Sequence, residues 1–221
     1  MTLESGKKLA GEKAIDFVKD GDVVGLGTGS TVEYSIKKLA QRISDEGLDI
    51  IGIPTSERTE RLARDLKIKL SSLNEYPEID LDIDGADEVD KDFNLIKGGG
   101  GAHTKEKIVA NASKKFIVVV DHTKEVERLG HFPVPVEVFQ FCEKFVEMEL
   151  GKLGGLPTLR KGFKTDQGNL VIDTKFDINN PSILEDRINQ IPGVIDNGIF
   201  SKRRPEVLIV GYRKEVKILE K

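Results

Sequence analysis

Several residue types that often carry protein chemistry are scarce in this sequence. Cys142 is the only cysteine, and tryptophan is absent. A single cysteine cannot form an internal disulfide, so we expect a reducing, cytoplasmic environment. The three histidines, at positions 103, 122 and 131, lack the paired spacing that is typical of zinc ligands. The composition therefore predicts neither a disulfide framework nor a zinc site.

Long apolar runs and an excess of basic charge are also missing. No stretch approaches the roughly 20 apolar residues that cross a bilayer, and residues 1–11 have no apolar core of the kind found in signal peptides. The 34 Lys and Arg residues are outnumbered by 38 Asp and Glu, which gives a formal net charge of −4. Because binding to nucleic-acid phosphates needs clustered basic residues, we expect a soluble protein with no nucleic-acid and no membrane partner.

The first 130 residues alternate between strand and helix patterns. Val32, Ile36, Leu39 and Ile43 recur at helical spacing, whereas residues 79–84 alternate as in a strand. Strands are predicted at 23–26, 50–53, 79–84, 95–96 and 116–120, and helices at 7–20, from 32, before 66 and at 104–114. Several of these strands are apolar throughout, which predicts a parallel sheet covered on both faces, that is, a Rossmann-like α/β domain.

The pattern changes after Gly130. Strands are predicted at 136–139, 159–163, 169–176 and 194–200, and helices at 142–153 and 181–191. The order β-α-β-β-α-β is typical of the split βαβ, or ferredoxin-like, α+β unit. Two further strands, at 207–210 and 216–219, are expected to return to the first domain. We therefore predict a catalytic α/β domain of residues 1–130 plus 206–221 and a smaller α+β domain of residues 131–205.

A glycine turn joins the first strand to the next helix, with the sequence Gly25-Leu-Gly-Thr-Gly-Ser-Thr31. Backbone N–H groups at the helix start and the hydroxyls of Thr28, Ser30 and Thr31 are donors for an anion. A helix cap without a ligand is the simpler interpretation, but three glycines and three hydroxyls exceed what a cap needs, so we favour a phosphate site. A nicotinamide dinucleotide is not expected, because Ser30 replaces the third fingerprint glycine and no acidic residue ends the second strand.

A second turn, Asp84-Gly-Ala-Asp-Glu88, follows a predicted strand. Open α/β sheets bind ligands at the carboxyl ends of their strands. Carboxylates there can bind sugar hydroxyls, relay protons or hold magnesium, and a plain polar turn is the alternative. This motif alone leaves those choices open.

The third motif is Lys97, a run of four glycines, and Glu106 in the first turn of the next helix. Consecutive glycines are costly in backbone entropy, and their N–H groups can donate to a developing oxyanion. Glu106 alone could simply complement the helix dipole. Together, the three loops follow three strands and are expected to meet at one edge of the sheet. They would supply a phosphate site, carboxylates, oxyanion donors and a base, which are the parts needed to remove a proton next to a carbonyl.

These motifs together resemble those of the type A ribose-5-phosphate isomerase family. The resemblance covers residues 25–31, 84–88, 97–102 with Glu106, 121–124, 133–138 and 191–194, in order along essentially the whole chain. It implies interconversion of D-ribose 5-phosphate and D-ribulose 5-phosphate through an enediolate, in the non-oxidative branch of the pentose phosphate pathway. It also implies that neither metal nor cofactor takes part, and that the chain forms a homodimer or homotetramer.

The resemblance further implies a role for individual residues, with Glu106 as the general base. The implied substrate-binding residues are Thr28, Gly29, Ser30, Thr31, Asp84, Gly85, Ala86, Asp87, Lys97, Gly98, Gly99, Gly100 and Lys124. Asp84 and Lys97 would assist ring opening and stabilise charge on the two reacting oxygens, and Lys7 is a further candidate for a phosphate contact. His103 departs from the family pattern, which has an apolar residue there, and we assign it no catalytic role.

Three other functions fit parts of the sequence. A sugar-phosphate sensor normally carries a DNA-binding module, and only about 20 residues precede the first strand, too few for a helix-turn-helix domain. A coenzyme A transferase would use its glutamate as a nucleophile, but it would not need the sugar-phosphate motifs. The unrelated type B isomerase can use a cysteine as base, but Cys142 lies on the apolar face of a predicted helix.

Overall fold

The structure, a computed structural model, describes residues 3–221, so the first two residues of the predicted catalytic domain lie outside the described residues. Its elements are α1 (Leu3–Ala14), β1 (Val23–Leu26), α2 (Val32–Glu46), β2 (Ile51–Pro54), α3 (Glu57–Asp65), β3 (Ile79–Asp84), β4 (Glu88–Val89), β5 (Leu95–Ile96), α4 (His103–Ala112), β6 (Ser113–Asp121), β7 (Val134–Val138), α5 (Glu143–Lys152), β8 (Leu156–Leu159), β9 (Leu170–Lys175), α6 (Pro181–Asn189), β10 (Val194–Asn197), β11 (Ile199–Phe200), β12 (Val207–Gly211) and β13 (Val216–Glu220). They belong to two compact units. The first comprises the chain up to Gly85, Lys105–Lys124 and Pro205–Lys221, and the second comprises Ala86–Thr104 and Glu125–Arg204.

The first unit contains a six-stranded sheet in the order β13-β12-β6-β3-β1-β2. Every neighbouring pair is parallel except β12 with β13. Apolar side chains of the strands and of α1 and α2 form its core, among them Val24, Leu26, Ile36, Leu39, Ile83, Ile117, Val119 and Ile209. The predicted parallel α/β architecture is confirmed.

The connection between β1, β2 and β3 defines where this sheet can bind a ligand. From β1 the chain passes to β2 on one side and then returns to β3 on the other side of β1. Leu26 and Ile83 are partners in the parallel register, so the carboxyl ends of β1 and β3 are neighbours. This arrangement is a topological switch point, the usual place for a ligand in an open α/β sheet.

The second unit contains the predicted β-α-β-β-α-β order, from β7 to β10. Its sheet has the order β10-β7-β9-β8, and all three pairings are antiparallel. The core of this unit includes Val136, Val146, Leu150, Ile172 and Ile188. The α6 helix begins as expected at Pro181, and the Asn180 side chain caps it by accepting the N–H of Ile183 at 3.1 Å. The ferredoxin-like prediction is confirmed.

Two strand predictions in this unit were wrong. The strand predicted at 159–163 lies at Leu156–Leu159, because Gly162 adopts φ +70° and breaks the extended chain. The strand predicted at 194–200 is divided into β10 and β11. At the division, a Cβ on Gly198 would lie 2.2 Å from the Lys97 carbonyl oxygen, and the Asn197 side chain accepts the N–H of Ile199.

The second unit also extends beyond the predicted 131–205 segment. β11 pairs with β5 and β5 pairs with β4, all antiparallel, in a separate three-stranded sheet. This pairing ties residues 86–96 to residues 199–200, a long-range contact with no local sequence signal. The first helix differs too: it ends at Ala14 and continues as a 3-10 turn to Phe17, rather than reaching residue 20. No helix within residues 3–221 is long and apolar enough to cross a membrane.

Candidate active site

The glycine turn after β1 lies against Asp84 at the end of β3. A Cβ on Gly27 would be 2.3 Å from Asp84 Oδ1, so only glycine allows this approach. Asp84 is fully buried, and its Oδ1 accepts the N–H groups of Thr28 at 3.0 Å and Gly85 at 2.7 Å. The predicted phosphate turn and the first predicted aspartate are therefore brought together at the switch point of the sheet.

The Thr28 hydroxyl points into a cluster of three other hydroxyls. Thr28 Oγ1 lies 2.8 Å from Thr55 Oγ1, 2.7 Å from Ser56 Oγ and 3.1 Å from Thr59 Oγ1. Thr59 in turn donates to the Gly27 carbonyl at 2.8 Å, and all three partners are buried. A hydroxyl has one proton to donate, and that of Thr28 is directed into this cluster.

Ser30 and Thr31 differ from Thr28. Within residues 3–221 neither hydroxyl forms a hydrogen bond, and Thr31, the residue before α2, does not cap the helix with its side chain. The first N–H groups of a helix have no partner inside it and carry its positive dipole end. The N–H groups of Glu33 and Tyr34 donate to the Gly29 and Thr31 carbonyls at 3.0 and 3.2 Å. Among the described residues, the donors that remain for an anion are therefore the Ser30 and Thr31 hydroxyls and the Val32 N–H that opens α2.

Glu106 lies in the first turn of α4 and is buried, at 4% exposure. Val109, three residues later and on the same face of the helix, packs against the sheet: a Cβ on Gly25 would be 2.7 Å from Val109 Cγ1. Glu106 thus lies one helical turn before Val109, the residue of α4 that contacts Gly25 at the start of the glycine turn. His103, the first residue of α4, is fully buried as well.

Lys124 ends a short 3-10 turn that follows β6. β6 is parallel to β3 and next to it, so Lys124 comes after the same edge of the sheet as Asp84. In the described part of the chain, no carboxylate lies within ion-pair distance of its ammonium. Lys7 contrasts with it, because its ammonium contacts Glu4 at 2.9 Å. Lys7 and the Tyr34 hydroxyl hold the pKa of Glu4 below its usual 4.5.

The run of glycines in the second unit forms a tight turn. Gly101 donates its N–H to the Gly98 carbonyl at 2.9 Å, and Gly98 and Gly101 have φ of +102° and +79°. Asp87 Oδ2 accepts the N–H of Gly99 at 2.7 Å. The N–H groups of Gly99 and Gly101 are therefore already bonded. Among the described residues, this leaves the N–H groups of Gly98 and Gly100 for a ligand.

Arg160 supports this turn from outside, and sequence reasoning missed it. Its guanidinium donates to the carbonyls of Gly98 and Gly99 at 3.2–3.3 Å. It is held by Asp173 through two hydrogen bonds, of 2.8 and 2.5 Å, and lies over the Phe163 ring. Arg160 directly follows β8 and Asp173 lies in β9, with no local pattern that links them. Only a correct β8–β9 pairing could have found this contact.

Lys97 is the most unexpected side chain at the site, because it is 98% buried. Its ammonium lies 5.5 Å from the centroid of the Phe200 ring, and its N–H donates to the Gly198 carbonyl at 2.9 Å. A cation over an aromatic face is attracted by the ring quadrupole. Burial of a lysine is costly unless its charge is used, so this position fits a functional ammonium.

The predicted residues thus fall into two groups. Thr28 to Thr31, Asp84, Gly85, Glu106 and Lys124 belong to the first unit, and Ala86, Asp87 and Lys97 to Gly100 belong to the second. Within residues 3–221, no group of three or more His, Cys, Asp or Glu side chains is arranged to hold a metal ion. Cys142 packs against the core of the second unit, as its predicted apolar face implied.

A family model, curated relatives and solved structures all match this chain. Residues 51–215 match the model of the ribose 5-phosphate isomerase A (phosphoriboisomerase A) family. The chain is 47% identical over 220 residues to ribose-5-phosphate isomerase A of Methanothermobacter thermautotrophicus, and the match covers 96% of each chain. It is also similar to the solved structure of ribose 5-phosphate isomerase A from Methanocaldococcus jannaschii, with a TM-score of 0.96, 43% identity and full coverage of both chains. A D-ribose-5-phosphate isomerase in complex with phospho-erythronic acid matches with a TM-score of 0.97, 43% identity and full coverage.

These matches place the chain among the aldose–ketose isomerases, enzymes that interconvert two isomeric sugars. More narrowly, the chain belongs to the ribose 5-phosphate isomerase A family, as its motifs predicted.

Proposed function

We propose that this chain interconverts D-ribose 5-phosphate and D-ribulose 5-phosphate in the non-oxidative branch of the pentose phosphate pathway. The main support is family membership, because relatives named ribose-5-phosphate isomerase A match nearly the whole chain. The solved relative that binds phospho-erythronic acid supports a phosphorylated sugar as the ligand. We further propose a cytoplasmic homodimer or homotetramer that works without metal or cofactor, which the motif resemblance and the single cysteine support.

We propose that the phosphate binds at the start of α2. Ser30, Thr31 and the Val32 N–H supply the donors, and Lys124 supplies a positive charge that no described carboxylate neutralises. Thr28 and Gly29 form the turn that leads to these donors. The turn is held in place by the hydrogen bond from the Thr28 N–H to the Asp84 carboxylate. Asp84 with Gly85, and Ala86 with Asp87, bind the sugar hydroxyls, and Asp84 assists opening of the ring.

We propose Glu106 as the base that moves the proton between the two carbons. Its carboxylate removes the proton on C2 of the open-chain aldehyde, and the electron pair moves through C1 to O1. The resulting enediolate takes the same proton at C1 while the O2 hydroxyl proton passes to O1, so no oxidant is needed. Lys97 and the N–H groups of Gly98 and Gly100 stabilise the negative oxygens. The buried position of Glu106, one turn from the Gly25 contact, supports this role.

The decisive experiment compares Glu106→Gln with the unchanged protein after dialysis against EDTA. We expect the unchanged protein to convert ribose 5-phosphate, and the variant to lose about 10²–10⁴-fold in turnover with a small change in KM, as expected when a general base is lost. Glu60→Gln is a matched control, because Glu60 lies in the first turn of α3 on the surface, paired with Arg64.

Two results would contradict parts of this proposal separately. Full turnover in Glu106→Gln would remove Glu106 as the base while leaving the activity in place. Activity that EDTA abolishes and an added metal restores would contradict the metal-free reaction. Substrate carrying deuterium on C2 should also react more slowly in the unchanged protein, since the C2 proton is removed in the proposed step.

A further inference from the structure

The second unit contains a buried carboxylate that the proposed reaction does not use. Glu137 lies in β7, a strand whose residues are all buried, and its own exposure is 1%. Within residues 3–221 it forms no ion pair with a lysine, arginine or histidine. Burial of a carboxylate without a cation is costly, so its hydrogen-bond partners must account for its position.

Three neutral side chains donate to this carboxylate. The Thr165 hydroxyl and the Asn169 amide donate to Glu137 Oε1 at 2.7 and 2.8 Å. Thr165 and Asn169 are also bonded to each other, because the Thr165 N–H donates to the Asn169 carbonyl at 3.0 Å. The second oxygen, Oε2, accepts the hydroxyl of Thr104. One oxygen is thus held by the loop before β9, and the other holds Thr104.

Glu88 shows what a buried carboxylate with a purely structural task looks like in the same unit. It is 3% exposed and accepts the backbone N–H groups of Gly130, at 2.8 Å, and Phe132. It thereby satisfies backbone donors that burial would otherwise leave without a partner. Glu137 accepts no backbone N–H in the described part of the chain. Thr104 is only partly buried, so its hydroxyl does not need a buried partner either.

The position of Thr104 explains the contact. Thr104 is the second residue of α4, the helix that carries Glu106 in its first turn. The first N–H groups of a helix have no partners inside it, so its first turn needs other contacts to stay ordered. The preceding residue, His103, packs against the glycine turn, since a Cβ on Gly98 would be 2.7 Å from His103 Nδ1. The start of α4 is therefore held by two neighbouring side chains.

We propose that Glu137, acting through Thr104, fixes the first turn of α4 and so positions the Glu106 carboxylate for proton transfer. Glu137 is a positioning residue in this role, because it acts through another side chain and not on the substrate. A reacting group displaced by about 1 Å can cost roughly 10²-fold in rate. This inference rests on the proposed function, with Glu106 as the base, and names the residue that holds that base in place.

The test measures kcat and KM for ribose 5-phosphate in Thr104→Val and Thr104→Ser. Valine keeps the shape of threonine and removes the hydroxyl, and the partly buried position should allow the variant to fold. We expect kcat to fall about tenfold or more, with little change in KM, and serine to restore it. Thr165→Val is the matched control, because it removes a hydroxyl from the same carboxylate outside α4. It should lower the melting temperature and leave kcat unchanged.

Two further measurements separate positioning from a loss of stability. The deuterium isotope effect on kcat, with substrate labelled at C2, should be larger in Thr104→Val than in the unchanged protein, because only the proton transfer is slowed. Glu137→Asp is one methylene shorter and should lower kcat by a similar factor. Glu137→Asp combined with Thr104→Val should cause no further loss, since both substitutions break the same hydrogen bond.

The outcomes distinguish this inference from the proposed function. An unchanged protein that does not convert ribose 5-phosphate overturns the proposed function and this inference together. If the protein is active and Glu106→Gln is not, an unchanged kcat in Thr104→Val overturns the role of Glu137 alone. Equal losses of kcat in Thr104→Val and Thr165→Val, or a loss that Thr104→Ser does not restore, also overturn it, because the network would then act on the unit as a whole.

Discussion

The hydroxyl of Thr28 faces the interior of the first unit, although its residue type and position match those of a phosphate ligand. The sequence predicted a donor-rich turn, but residue spacing does not say where a hydroxyl proton points. That direction depends on Thr55, Ser56 and Thr59, which follow the next strand and reach Thr28 only because β1 and β2 pair with Leu26 opposite Pro54. The residue types of the site could be predicted, but not which hydroxyls face a ligand and which face the interior.

Thr59→Val tests whether this cluster holds the phosphate turn in place. The substitution keeps the side-chain shape and removes the bonds to Gly27, Thr28 and Ser56. We expect a stability loss of about 1–2 kcal/mol, since buried partners lose a hydrogen bond. We also expect KM for ribose 5-phosphate to rise about tenfold while kcat changes little, as when binding common to ground and transition states is lost.

Controls for Thr59→Val come from the same chain. Thr59→Ser keeps the hydroxyl and should restore KM. Thr174 is fully buried in β9, and its hydroxyl has no hydrogen-bond partner among the described residues. Thr174→Val should therefore leave KM unchanged and stabilise the protein slightly. A normal KM in Thr59→Val, measured beside these controls, would show that the turn keeps its shape without the cluster.

At the scale of elements, the run of four glycines depends on the neighbouring sheet for its shape. The sequence indicated a turn that approaches a ligand, and the structure shows a turn whose carbonyls are held by Arg160. Arg160 comes directly after β8, whose predicted position was displaced by three residues. Its contact with Gly98 joins segments 62 residues apart, and no period or motif in a single sequence encodes such a pairing.

Arg160→Lys should weaken catalysis without unfolding the second unit. Lysine keeps the charge but lacks the planar fork that binds Asp173 and the two carbonyls together. A glycine turn displaced by about 1 Å can cost roughly 10²-fold in rate, so we expect kcat to fall tenfold or more. Arg128→Lys is the control, because Arg128 pairs with Asp177 on the surface of the same unit. An unchanged kcat in Arg160→Lys, with both variants folded, would contradict a positioning role.

Asp80 in β3 gives the first unit a pH-dependent contribution to stability. Its carboxylate accepts the Lys114 ammonium at 2.9 Å and the Val23 N–H at 2.9 Å. The Lys114 contact, and then the Val23 N–H, hold the pKa of Asp80 below its usual 3.8. A carboxyl whose pKa is lowered by folding stabilises the protein above its unfolded pKa, and this stabilisation is lost as the pH falls through the folded value.

Asp80→Asn should therefore destabilise the protein at pH 7 and not near pH 2. The pair is partly exposed and screened by solvent, so we expect a loss of about 0.5–1 kcal/mol. Urea denaturation at the two pH values measures the difference. A variant equally destabilised at both values would show that packing, rather than charge, accounts for the effect.

At the scale of the whole molecule, the order of secondary structure predicted both sheets, but not which residues join each unit. Helical and strand periodicity gave the Rossmann-like and ferredoxin-like orders. The assignment of 86–104 to the second unit depends on β5 pairing with β11, two strands of two residues each. Pairings that short leave no periodic signal, so the sequence could not have placed this segment.

The late strand β12 of the first unit should be essential for solubility. β12 is buried throughout and covers the edge of β6, whose residues 116–121 are buried as well. A chain ending at residue 204 would leave that apolar edge open to other chains, and we expect it to be insoluble on expression. A chain ending at residue 211 loses only the largely exposed β13, and should stay soluble with a lower melting temperature. Solubility of both chains would contradict this prediction.

The late position of β12 also has a consequence for synthesis on the ribosome. In the finished sheet, β12 lies between β6 and β13. Nearly 90 further residues must be translated after β6 before its partner β12 has been made. Strands β4 and β5 of the second unit are made before β6, and its other strands, β7 to β11, emerge during that interval and can pair with one another and with β5. We therefore expect the second unit to be protected from protease on stalled nascent chains while the first is still open, with β6 as the segment that chaperones bind.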